Sequence, residues 1–81
     1  MTTYHDAAIS EDKSRRFAIH YLNAIRNLTQ RLVNLEGMMN SSPNAAKNAC
    51  YLANKAFQLG RFEDVLFFYR HLLKRHRRLV D

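Results

Sequence analysis

Cys50 is the only cysteine in 81 residues, so no internal disulfide can brace the chain. A lone thiol fits a reducing compartment, and the expected location is cytoplasmic. Proline occurs once and glycine twice, which argues against a sheet-rich fold with many turns. The first residues, Met1-Thr2-Thr3-Tyr4-His5-Asp6, lack the basic-then-apolar pattern of a signal peptide. No apolar run approaches the ~20 residues of a membrane span, so no membrane partner is expected. There is no glycine-rich phosphate loop. The four histidines are scattered, and His71 and His76 lie about 140° apart around a helix, whereas helical metal pairs favour a spacing of four. Glu63 and Asp64 are adjacent and serve a helix start. These absences predict no enzyme, no cofactor and no metal.

Acids are also few, and their distribution matters more than the formal charge of +6. No acid stands between Lys13 and Leu35, or between Val65 and Val80, whereas arginine and lysine recur in both stretches. Basic blocks of this kind attract phosphate or acidic proteins.

What the chain does have is helical periodicity. Residues 1–9 carry little pattern and are expected to form a loose arm, with a single helical domain over 10–81. Ser10 reads as an N-cap followed by Glu11 and Asp12, where the helix dipole favours acids. A stripe of Ala18, Tyr21, Ile25, Leu28, Leu32, Leu35 and Met39 steps by three and four, a heptad seam sustained over three repeats. Gly37 is the expected terminator, with Met38 and Met39 folding back on the helix end. Ser42 and Pro43 read as cap and first residue of a second helix, whose inner face is small: Ala46, Ala49, Ala53 and Ala56, with Leu52 and Phe57 beside it. Gly60 ends it. A third helix runs from near Arg61 to the C-terminus. The expected fold is all-α: a three-helix antiparallel bundle with a long first helix and short connections.

Residues from about Ala46 to Arg77 resemble one tetratricopeptide-repeat (TPR) hairpin. Ala49, Leu52 and Ala53 stand where the repeat's first helix carries a bulky residue, leucine and a small residue. Gly60 and Phe62 match its turn, and Val65, Tyr69 and Leu72 fall at the small–aromatic–small positions of its second helix. Arg77 stands where the closing proline belongs. One repeat cannot bury its own faces, so the resemblance implies a single TPR-like hairpin with the first helix as substitute neighbour. Such hairpins bind other proteins.

Three surfaces follow as candidate sites. Positions 66–69 are all apolar and point in four directions around one helix at ~100° each, more than a three-helix core can cover. Phe62, Leu66, Phe67 and Phe68 are therefore the expected protein-binding residues, with Arg70 and Arg75 steering an acidic partner. The heptad seam serves either the internal core or a homodimer zipper through Tyr21, Ile25, Leu28, Leu32 and Leu35; the long first helix, on the order of 40 Å at 1.5 Å per residue, favours pairing. Lys74, Arg75, Arg77 and Arg78 are either a solvated helix end or phosphate contacts. The expected function is a small non-enzymatic adaptor or regulator that binds another protein through an apolar helical face as a homodimer. The alternative is a small basic nucleic-acid-binding transcriptional regulator.

Overall fold

A computed structural model describes residues 4–80, with side-chain surroundings from residue 12 onward. Three helices follow in order, α1 (Tyr4–Met38), α2 (Asn44–Gln58) and α3 (Phe62–Val80), with no strand among the described residues. They pack as an antiparallel three-helix bundle in which every helix touches the other two.

The first helix starts earlier than Ser10. Its backbone is helical from Tyr4, which places Ser10 inside the helix rather than at its cap. Nothing in residues 4–9 stops a helix: there is no glycine or proline, and Ala7 and Ala8 are the best helix formers. The loose-arm expectation therefore does not describe the backbone of residues 4–9, while residues 1–3 lie outside the described residues. Asp12 and Arg16, four residues apart, form an ion pair at 3.1 Å.

The far end of α1 also differs. Gly37 remains helical, and the left-handed residue is Asn40, with φ of 54°. The Ser41 N–H donates to the Glu36 carbonyl at 2.7 Å and the Asn40 N–H to the Gly37 carbonyl at 3.3 Å. This is the paired stop that closes many helices, and asparagine tolerates the left-handed region better than other residues with a Cβ. Met38 and Met39 do not fold back on the helix end; both are exposed. The same device ends α2. Gly60, with φ of 74°, donates to the Phe57 carbonyl, and Arg61 donates to the Ala56 carbonyl at 2.8 Å.

At the start of α2 the Ser42 hydroxyl accepts the Asn44 N–H at 3.3 Å, and the Pro43 carbonyl accepts the Lys47 N–H. Pro43 rather than Ser42 takes the cap position, without a side-chain cap hydrogen bond, and the helix opens one residue later than expected, at Asn44. Ala46, Ala49, Ala53 and Ala56 are all buried, so α2 meets its neighbours through methyl groups alone. Leu52, expected beside that face, is exposed.

The centre of the bundle is Ile25 and Leu32 from α1 with Val65 and Leu72 from α3, all fully buried. The buried line on α1 runs Ala18, Leu22, Ile25, Leu28, Leu32 and Glu36. A strict heptad drifts about 20° per repeat relative to a 3.6-residue helix. By the third repeat the seam has slid off the inward face, so Leu35 is half-buried and Glu36 takes the inward position, while Met39 lies past the helix end and is exposed.

Candidate protein-docking groove

The run from Val65 to Phe68 divides its side chains around α3. Val65 enters the core, Leu66 is half-buried towards α1, and Phe67 is 63% exposed. Phe68 is half-buried against the core, its ring meeting that of Phe67 edge-on with centroids 5.4 Å apart. Phe62, at the head of α3, is half-buried with its ring 5.7 Å from that of Phe57. The four expected binding residues thus do not form one exposed patch: Phe68 serves mainly the core, and Phe62 and Leu66 border a groove.

That groove lies between α1 and α3. At its lower end Ser14, Phe17, Ala18, Tyr21, Phe62, Glu63 and Leu66 line an open recess of about 350 Å³. Two turns further on, Ala24, Leu28, Arg31, Tyr69 and Leu73 border a second recess of about 250 Å³. The Tyr21 and Tyr69 rings, with centroids 5.1 Å apart, stand where the two meet. Phe17, on the α1 bank, is 63% exposed. Phe17 takes its place on this bank only because α3 is docked beside α1.

The opposite groove, between α1 and α2, is larger at about 470 Å³ but has a different chemistry. Thr29, Lys47, Cys50, Asn54 and Lys55 line it, with Tyr51 at its edge. Asn54 donates to the Cys50 carbonyl and accepts from the Arg26 guanidinium, and the Lys55 ammonium stands 5.6 Å from the Tyr51 ring centre. Asn54 is thus held in the groove wall, while the Thr29 hydroxyl is buried there without a hydrogen-bond partner.

Of the five seam residues expected to dimerise, Ile25, Leu28 and Leu32 are buried within the bundle, and Tyr21 and Leu35 are half-buried. Ile25, Leu28 and Leu32 therefore serve the internal core, while Tyr21 and Leu35 keep part of their surface outward.

Arg75 is also placed differently from expectation. Its Nε donates to Glu36 Oε1 at 2.5 Å, and Glu36 is 1% exposed. Arg75 is therefore the counter-ion of a buried carboxylate, tying the end of α1 to α3, rather than a free steering or phosphate-binding cation. The second oxygen, Glu36 Oε2, is buried without a hydrogen-bond partner. The available signal for Glu36 was its spacing: it falls four residues after Leu32 and eleven after Ile25, on the line that the core uses. Arg70, Lys74, Arg77 and Arg78 are exposed.

His20 and His71 are exposed and His76 is half-buried. Among the described residues no group of three or more histidine, cysteine or acidic side chains is placed to hold a metal ion, and no helix is long and apolar enough to cross a membrane. In comparison with known proteins, no family model matches the chain, and neither a curated protein nor a solved structure matches it.

Proposed function

We propose that this chain is a non-enzymatic interaction module that holds another protein against the apolar side of α1 and α3. The observation that supports this reading is the groove between the two helices, bordered by Phe17, Tyr21 and Leu66, together with Phe67, whose ring is exposed on α3 outside the groove lining. Large exposed apolar side chains gathered in one place mark contact surfaces on soluble proteins. The likeness of α2 and α3 to a single TPR hairpin supports the same class of function. A reducing, cytoplasmic setting suits the free thiol of Cys50.

The test is affinity capture from source cells with the wild type and with Phe17→Ser plus Phe67→Ser. Both rings are largely exposed, so the variant should keep its helix content and thermal midpoint. Central aromatic anchors typically contribute about 2 kcal/mol or more each, and a specific partner should be lost. Retention of the same partner by the variant would remove this reading.

A second reading is supported by the outer side of α3, where Lys74, Arg77 and Arg78 are exposed and no acid follows Asp64 within the helix. In it the C-terminal turns bind nucleic-acid phosphates. Such binding weakens steeply between about 50 and 200 mM salt. A duplex affinity indifferent to salt over that range, or unchanged by Arg77→Glu with Arg78→Glu, excludes it.

A further inference from the structure

We infer that the α1/α3 groove takes a four-turn amphipathic helix of another protein, apolar on the face that enters and acidic along both edges. The inference rests on the protein-docking reading above and adds the identity of the occupant.

Shape gives the helix. The groove is bounded by two helices that run in the same direction, since Phe17 to Tyr21 lie beside Phe62 to Leu66, and Ala24 to Arg31 beside Tyr69 to Leu73. A third cylinder packs into such a channel at the usual 8–10 Å between axes. Among the described residues there is no strand, and so no sheet edge for an extended peptide to join. From Phe17 to Arg31 the channel runs on the order of 21 Å at 1.5 Å per residue, about four turns. The small side chains of Ala18 and Ala24 open the two recesses, and the tyrosine pair stands between them. An entering helix would place one large apolar side chain in each recess, two turns apart.

Charge gives the edges. Arg31 lines the upper recess directly. Lys13 precedes Phe17 by four residues, Arg70 follows Leu66 by four, and Arg77 follows Leu73 by four, so each shares a side of its helix with a groove residue. All four cations are exposed, and among the described residues Glu63 is the one acid that lines the groove. A helix with glutamate or aspartate beside its apolar stripe would meet cations on both banks, which guides encounter and fixes register.

The same charges argue against a second copy as occupant. The chain carries +6, and its most outward helix face, on α2, presents Lys47, Asn48, Tyr51 and Lys55 rather than an apolar stripe. Inserting that face would set lysines against Arg31 and Arg70.

The experiment is a selection from a displayed library of randomised 18-residue peptides on the full chain. The peptides obtained are then synthesised and titrated by fluorescence anisotropy. The expected peptides carry apolar residues at i, i+3, i+4 and i+7 with acids beside them, and become helical on binding. Their affinity should fall about 30-fold or more with Leu66→Arg, as for loss of a central contact. It should fall about tenfold at low salt with Arg31→Glu plus Arg70→Glu, the difference shrinking at high salt. Phe17→Ser, at an exposed side chain, provides a second groove variant should Leu66→Arg lower the helix content. Peptides with an apolar stripe but neutral or basic edges that still lose affinity with Leu66→Arg would overturn the acidic occupant and leave the docking reading standing. Peptides indifferent to both Leu66→Arg and Phe17→Ser would overturn both. No enrichment, or a chain of doubled mass whose Ala24 and Tyr69 amides are protected in the assembly, would also overturn the inference, the latter making a second copy the occupant.

Discussion

Glu36 and Arg75 are the residues whose environment most exceeds their type. The Glu36 carboxylate is enclosed, with one oxygen on Arg75 and the other unpaired, while the Arg75 side chain keeps 34% of its surface in water. This inequality decides what each substitution does. Removing one member of a buried pair leaves the other charge behind, at a cost of about 3–5 kcal/mol when that charge has no route to solvent. Arg75→Met strands the enclosed carboxylate and is expected to cost about 3 kcal/mol. Glu36→Gln leaves an arginine that reaches water, and an amide that still accepts a hydrogen bond, so about 1–2 kcal/mol is expected. Urea denaturation at neutral pH measures both. Equal losses, or a larger one for Glu36→Gln, would show that the carboxylate is hydrated and not enclosed. Replacing both by Leu and Met removes the charge problem altogether and should recover most of the loss.

Among the elements, the two glycines make opposite predictions. Gly60 has a φ of 74°, a conformation that disfavours any Cβ, so Gly60→Ala should destabilise by about 1 kcal/mol even though nothing crowds the new methyl. Gly37 is helical, with open space where a Cβ would go, so Gly37→Ala should stabilise by about 1 kcal/mol through helix propensity. Thermal midpoints moving in opposite directions check the pair; a shift of the same sign in both would show that one helix end is wrongly placed. The same two positions show how far the sequence could be read. Gly60 was legible as a stop because the apolar pattern of α2 ends just before it and that of α3 begins just after. Gly37 misled because asparagine also tolerates the left-handed region, and the choice between Gly37 and Asn40 turns on which carbonyls remain free. The alanine face of α2 was legible because four alanines at helical spacing leave little else for that face to be. Glu36 and the two-banked groove were not, for different reasons. The heptad reading carried the seam to Leu35 and Met39 past the point where drift had turned Glu36 inward. The groove needs α1 and α3 side by side: Phe17 and Leu66 are 49 residues apart, and no local pattern joins them.

For the whole molecule, size and charge act together. The bundle measures 55 × 22 × 14 Å, with a Cα radius of gyration of 15.1 Å. A compact chain of this length would have about 12 Å. The excess reflects α1, whose 35 residues outrun the 19 of α3 and the 15 of α2. An elongated shape leaves little interior, and among the described residues the large side chains fully enclosed there are Ile25, Leu32, Leu72 and Val65 besides Glu36. On this small core acts the mutual repulsion of 13 basic residues against 7 acidic ones. Of the three ion pairs among the described residues, Asp12–Arg16 and Arg61–Asp64 are solvent-exposed and contribute about 0–1 kcal/mol each. Screening therefore removes more repulsion than attraction, and the Glu36–Arg75 pair is sheltered from it. Raising sodium chloride from about 20 to about 200 mM shortens the Debye length from roughly 20 Å to under 10 Å. The folded chain should gain stability over this range, with a thermal midpoint rising by a few degrees, about 4–8 °C per kcal/mol for a domain of this size. In Lys74→Glu plus Arg78→Glu, which lowers the formal charge from +6 to +2, the rise should be smaller. A midpoint that falls with salt in the wild type would mean that attractive pairs govern the surface. A rise undiminished in the variant would trace the effect to ion binding or apolar burial rather than to net charge.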